Sequence, residues 1–305
     1  MPPMENWLWI PITIFSGATQ IVRNASQKSL TRTAGTLGAT FVRFAFGLPF
    51  TVIGLAIVLA ITALPLPRFD GMFFAWVVGG GMAQLAATAL LLASMEHRSF
   101  IVSMAYSKTE VLQIAVFSAL ILGEWVSVYT GIAMALGTAG VLMMSLRPGQ
   151  LRSGSPRDWF STVALLGMGS GAGFALSAVC FRGAILETGS PSPWLGAACT
   201  LLCAQIVQSL VLGAWLVVRD RRALVEVGRS WKVSLLAGMA GSVSSLGWFT
   251  AFGMRNAADV RTLGMIEMVF GYIVSHVYFK EKTTSRELTG ILLLAAGLVL
   301  LCLQF

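Results

Sequence analysis

Apolar runs of about the length that crosses a bilayer follow one another along the whole chain, and the charged residues gather in the short stretches between them. A run of roughly 20 apolar residues keeps every backbone group satisfied in hydrocarbon only as a helix. Counting such runs predicts helices at about 7 to 27, 34 to 62, 71 to 94, 99 to 122, 125 to 146, 159 to 181, 193 to 218, 232 to 252, 257 to 279 and 287 to 304, ten in all. The second run is long for one span and carries Gly47 and Pro49, so it should tilt or kink. Of 305 residues 56% are hydrophobic and 11% charged, against roughly 25% charged in a soluble domain. The fold class is therefore an all-α integral membrane protein, with no stretch left over for a separate soluble domain. The opening "MPPMENWLWIPITIF" lacks the basic region and small-residue cleavage site of a signal peptide, so its apolar run is expected to be retained.

The formal net charge of +8 does not indicate nucleic acid, because no basic patch interleaved with aromatics occurs. It reads as a topology signal. Fifteen of the 21 Lys and Arg fall in the connectors 1-2, 3-4, 5-6, 7-8 and 9-10, "VVRDRRALVEVGRSWK" among them, and four in the alternate connectors, with Arg43 and Lys108 inside spans. Basic loops face the cytoplasm, which puts both termini on the other side. The four cysteines (Cys180, Cys199, Cys203, Cys302) lie in apolar stretches without His or carboxylate neighbours and read as packing, not as metal ligands.

The stretch "SKTEVLQIAVFSALILGEWVSVYTGIAMALGTAGVLMM" returns as "GMIEMVFGYIVSHVYFKEKTTSRELTGILLLAAGLVLL". At a constant offset of 157 residues Glu110 meets Glu267, Glu124 meets Glu281, Gly140 meets Gly297, and Arg98 meets Arg255. The chain divides into two five-helix repeats, 1–150 and 151–305. Five is odd, so the halves should be inverted relative to each other, as the charge bias also requires. Inverted repeats build alternating-access carriers whose substrate site lies near the midplane.

Lys108 and Glu110 lie nine and eleven residues into the fourth run, roughly 13 to 17 Å deep at about 1.5 Å per residue, near the centre of a core about 30 Å thick. A charge there costs about 2.5 to 3.5 kcal/mol, so neither should face lipid. Two apart, they point about 200° from each other on a helix and should not pair on one face. Glu267 holds the equivalent position in the ninth run. The plain reading of these three is an internal ion network; the sharper one is a substrate or proton site. Gln20, Arg23, Asn24 and Gln27 make a polar stripe on the first helix, which either lines a cavity or emerges into headgroups. Gln84, after three glycines, is a candidate cavity donor; Trp248 could stack on a substrate; Tyr106 and Tyr272 flank the carboxylates. Arg43 reads as snorkelling to the cytoplasmic interface, and Glu124 and Glu281 as fold-defining helix ends. The run "GMGSGAGFALSAVCFRG" lacks the Gly-Lys-Ser/Thr ending of a phosphate loop and suits close helix packing. Two histidines without a nucleophile or metal cluster give an enzyme no site.

Two halves, each with a glutamate, about fourteen residues, then Gly-Glu or Lys-Glu and a Gly-punctuated apolar helix, resemble the EamA-like family of the drug/metabolite transporter superfamily. The motif residues are Glu110, Glu124 and Gly140 with Glu267, Glu281 and Gly297, and Arg43 matches the arginine common at the start of the second helix; "FTAFGMRNAADVRTLGMIE" and "FALSAVCFRGAI" are similar to family passages. Val111 and Met268 stand where the family frequently has proline after the glutamate. Lys108 is not a general family feature, which makes it a candidate for substrate choice. The resemblance implies a monomeric or weakly associated carrier of a bacterial inner membrane, with a central cavity lined by helices 1, 3, 4, 6, 8 and 9. The expectation is an exporter of a small polar or amphipathic metabolite. An amino acid or related zwitterion is favoured, with Lys108 on its carboxylate, Glu267 and Glu110 on its ammonium or a coupling proton, and Trp248 and Tyr106 as walls. Its partners are that small molecule and lipid; no cofactor is expected beyond a coupling proton. The alternatives are an organic-cation carrier and a non-transporting membrane scaffold.

Overall fold

A computed structural model describes residues 7–97, 100–145, 162–279 and 285–305, and every regular element among them is helical. In chain order these are α1 (Trp9–Ala45), α2 (Leu48–Thr62), α3 (Gly71–His97), α4 (Phe100–Ser107) and α5 (Glu110–Phe117), the last running into a π-helical turn (Ser118–Leu122). Then come α6 (Val128–Ser145), α7 (Thr162–Glu187), α8 (Pro193–Arg219), the short α9 (Arg221–Arg229), α10 (Trp231–Met254) and α11 (Ala257–Leu263). A 3-10 turn (Gly264–Ile266), α12 (Glu267–Phe279) and α13 (Ser285–Cys302) complete the chain. Five stretches are long and apolar enough to cross a membrane: Trp9–Thr62, Gly71–Glu96, Ala164–Glu187, Pro193–Arg219 and Trp231–Met254. Glu110–Leu122, Val128–Met143 and Leu288–Cys302 are shorter apolar helices. Arg98 and Glu281 of the repeat lie outside the described residues.

The first stretch holds 54 residues, about 81 Å if straight, which a core of about 30 Å cannot take in one pass. It folds back at Gly35, whose φ of +68° and ψ of 174° are open only to glycine. Gln27 Nε2 donates to Ala39 O at 3.0 Å, although twelve residues of unbroken helix would separate them by about 18 Å. The arms 9–34 and 36–45 therefore lie side by side. A second interruption falls at Phe46 and Gly47, with Pro49 in the first turn of α2, a position where its missing N–H costs nothing. This is the kink expected from Gly47 and Pro49.

The fourth and ninth runs are also broken, at equivalent points. Lys108 and Thr109 form a turn between α4 and α5 in which Val111 N donates to Lys108 O (3.2 Å) and Leu112 N to Thr109 O (3.1 Å). Thr109 Oγ1 donates to Tyr106 O at 2.8 Å. The ninth run tightens to 3-10 over Gly264–Ile266, directly before Glu267. No proline is needed for either break. Small residues admit the neighbours instead: a Cβ on Gly171 of α7 would lie 2.8 Å from Ser107 O and 3.0 Å from Glu110 N.

The most extensive helix packings are α1 on α10, α3 on α7 and α6 on α13. Glycines set the last of these. A Cβ on Gly140 would lie 2.8 Å from Leu294 N, and one on Gly297 2.9 Å from Ala133 O. Those neighbours are backbone and cannot rotate away, so Gly140→Ala and Gly297→Ala should each cost about 1–3 kcal/mol. Thermal unfolding in a single detergent measures it, and wild-type stability in both variants would show that the two helices can part freely.

Candidate functional site

Both helix breaks open onto the same point. Glu110 begins α5 and Glu267 begins α12, so each carboxylate sits at the positive end of a half-helix. Lys108, from the first break, stands between them: its Nζ is ion-paired with Glu267 Oε1 and lies 3.5 Å from Glu110 Oε1. The expected separation of Lys108 from Glu110 by 200° assumed an intact helix; the turn at 108–109 removes that premise and the two residues do pair. Arg261 of α11 reaches Glu110 Oε1 at 3.5 Å. Gln20 Nε2 donates to Glu267 Oε2 at 2.6 Å, and Gln20 Oε1 accepts from Trp248 Nε1 at 2.9 Å. The Arg261 guanidinium lies over the Trp248 ring, 4.6 Å from its centroid, a cation–π contact strengthened by exclusion of water.

Arg23 and Arg43 complete the cluster. Arg23 Nε and its terminal nitrogen donate to Asn24 Oδ1 at 3.1 and 2.8 Å, and Arg43 donates to Thr88 Oγ1 at 2.8 Å. Arg43 is only 4% exposed, which corrects the expectation that it snorkels to the interface. The fold-back at Gly35 lays its segment against the first arm, beside Arg23. A Cβ on Gly241 of α10 would lie 3.4 Å from Arg23 Cδ and 3.5 Å from Arg43 Cγ, so both stems run past that one glycine.

Seven of the nine residues singled out from sequence line one cavity: Gln20, Asn24, Gln84, Lys108, Glu110, Trp248 and Glu267. Gln84 Oε1 accepts from Gln208 Nε2 at 2.9 Å, tying it to α8. Tyr106 and Tyr272 are not among the lining residues. Tyr106 abuts Gly167 of α7, and Tyr272, five residues beyond Glu267, is turned about 140° away from it around the helix. Gln27 of the polar stripe serves the fold-back. Arg23, Arg43 and Arg261 line the cavity, as do Phe174, Phe181, Phe249 and Phe252. Arg261, one of the four basic residues assigned to the alternate connectors, lies instead within the ninth run, on α11. The side chains close on one another and leave a free volume of about 20 Å³, room for about one water.

A second polar cluster lies at one end of the bundle, where it lines a cleft. Arg182 Nε donates to Glu124 Oε1 and Oε2 at 2.7 and 2.8 Å. Its guanidinium also caps the end of α10, donating to Phe252 O and, at 2.6 Å, to Arg255 O. Phe305 stands edge-on to Trp9, centroids 5.6 Å apart, with the Arg255 guanidinium 3.7 Å over its ring. Gln304 joins Ser127 at 2.5 Å and Thr130 at 3.0 Å.

Apolar helices closing over a charged, water-poor cavity define a membrane protein with an internal polar site. Residues 161–303 match the family model of the EamA-like transporter family, and over that half the chain belongs to this family, a membrane transporter of the drug/metabolite transporter superfamily. No curated protein matches the sequence. A solved crystal structure of 16% sequence identity superposes with a TM-score of 0.66, covering 96% of this chain and 96% of that chain, and so shares its fold.

Proposed function

We propose that this transporter is a secondary-active exporter that moves a small polar or amphipathic metabolite by alternating access, with the charged cavity as its substrate site. The observation that carries the reading is the Lys108 ion pair with Glu267, made between two helices that break at equivalent points. Broken helices that meet at the midplane are how carriers present ligands for a substrate. The packings follow the 157-residue offset as well. Exchanging the repeats, 1–150 and 151–305, converts the pairing of α1 with α10 into that of α7 with α3, and returns α6 with α13 to itself. These relations support ten spans in two inverted halves.

Arg23 and Arg261 belong to the cavity, so the basic residues remaining in connectors divide fourteen to three. That bias favours cytoplasmic placement of the 7-8 connector, which includes α9, and non-cytoplasmic placement of both termini and of the Arg182 cluster, as in an inner-membrane carrier. The ion pairs weigh against the organic-cation alternative, since four cations surround two carboxylates that are already engaged. Proton coupling through Glu267 or Glu110 is part of the proposal.

Ser245 lines the cavity and is 4% exposed. With the four native cysteines replaced, Ser245→Cys should react with a membrane-impermeant thiol reagent from either face of sided vesicles, because alternating access exposes the site to each in turn. A scaffold reacts from neither face, and labelling from one face alone would rule out alternation.

A further inference from the structure

We infer that the substrate is a small organic dianion, a dicarboxylate or a phosphate monoester carrying an apolar body. The inference rests on the reading of the cavity as the substrate site and replaces the zwitterion with a narrower class. Four cations, Arg23, Arg43, Lys108 and Arg261, line the cavity with two carboxylates, Glu110 and Glu267, and all six are at most 6% exposed. Asp259, the next buried carboxylate, is held by Thr130 at 2.8 Å and Arg255 at 4.0 Å and lines the other cluster. The cavity thus holds two positive charges in excess. Buried charge without a counter-charge is costly, and a ligand of charge −2 removes that cost.

The unused donors point the same way. Among the described residues Arg23 and Arg43 form no ion pair; their hydrogen-bond partners are a neutral amide oxygen and a hydroxyl. One terminal nitrogen of Arg23, Nε of Arg43 and Nε of Arg261 are buried with no hydrogen-bond partner among the described residues. The stems of Arg23 and Arg43 both pass Gly241, and planar guanidinium forks match the paired oxygens of carboxylate and phosphate. An ammonium finds no comparable opening, because Glu267 already holds Lys108 and Gln20, and Glu110 holds Lys108 and Arg261. Phe174, Phe181, Phe249 and Phe252 supply the wall for an apolar body. On entry, an anion would compete with Glu267 for Lys108.

The test is ligand-dependent thermal stabilisation of the purified full chain with succinate, phenyl phosphate, phenylalanine and phenethylamine. One or both dianions should stabilise the wild type, and the tighter of the two assigns the carboxylate or phosphate class. Arg23→Gln and Arg43→Gln should each weaken that binding about ten- to a hundredfold, and Glu267→Gln should tighten it by removing the competitor for Lys108. If the glutamine variants of the arginines do not fold, Arg23→Lys and Arg43→Lys keep the charge and lose the fork, and should still bind more weakly. Stabilisation by phenylalanine or phenethylamine alone, unaffected at Arg23, would overturn the dianion while leaving the cavity as the substrate site. No response to either dianion, or a Glu267→Gln protein that binds them no better, also overturns it. Failure of the Ser245→Cys labelling would instead remove the transport reading beneath it.

Discussion

Lys108→Ala should lower the stability of the protein by about 3–5 kcal/mol, the usual cost of stripping one partner from a buried ion pair. Glu267 is 1% exposed and would keep only its hydrogen bond from Gln20, while Glu110 would keep Arg261. Because the loss is an uncompensated charge and not a cavity, the double variant Lys108→Ala with Glu267→Gln should recover most of it. A double-mutant cycle by thermal unfolding in one detergent measures the coupling. Additive losses in the cycle would mean that Lys108 is held by packing, and that the ion pair neither orients the two broken helices nor offers a group for which a substrate can compete.

The second large effect is conformational. Arg182 binds Glu124 of the first half and two backbone carbonyls at the end of α10 in the second, so it spans the parts that must separate if this end is to open. A hydrogen bond to a charged group contributes about 1.5–3 kcal/mol, and a bias of about 1.4 kcal/mol shifts a two-state population tenfold. Arg182→Ala should therefore raise the labelling rate of Ser245→Cys from the face on which Arg182 lies by about tenfold or more, with slower labelling from the opposite face. Equal rates in both backgrounds would reduce the Arg182 contacts to a helix cap.

Much of this arrangement was legible because charge in an apolar run has few places to go. Lys108, Glu110 and Glu267 could only turn inward, and the 157-residue offset already paired the two glutamates. What the sequence concealed depends on where helices stop being helices. The 200° separation of Lys108 and Glu110 follows from regular geometry, and the backbone abandons that geometry between those residues without a proline to announce it. Val111 and Met268 gave no warning; the 3-10 bonding, Thr109 and the close approach of Gly171 are tertiary effects. Arg43 near the start of a span looks like a snorkelling residue until Gly35 folds its segment onto Arg23. Arg261 lies only a few residues past the connector, yet α11 is a separate short helix that carries it into the cavity. The tyrosines failed in the opposite sense: proximity in sequence to a glutamate says little about which side of a helix a ring occupies.

For anyone preparing the protein, the seat of Phe305 has a practical consequence. Its ring is packed between Trp9 and Arg255 while Gln304 is tied to Ser127 and Thr130, so a purification tag attached beside Phe305 would intrude on these contacts. A flexible spacer before the tag avoids this, and a short-range fluorescent pair at Gln304 and Ser127 would report optically whether these contacts are made.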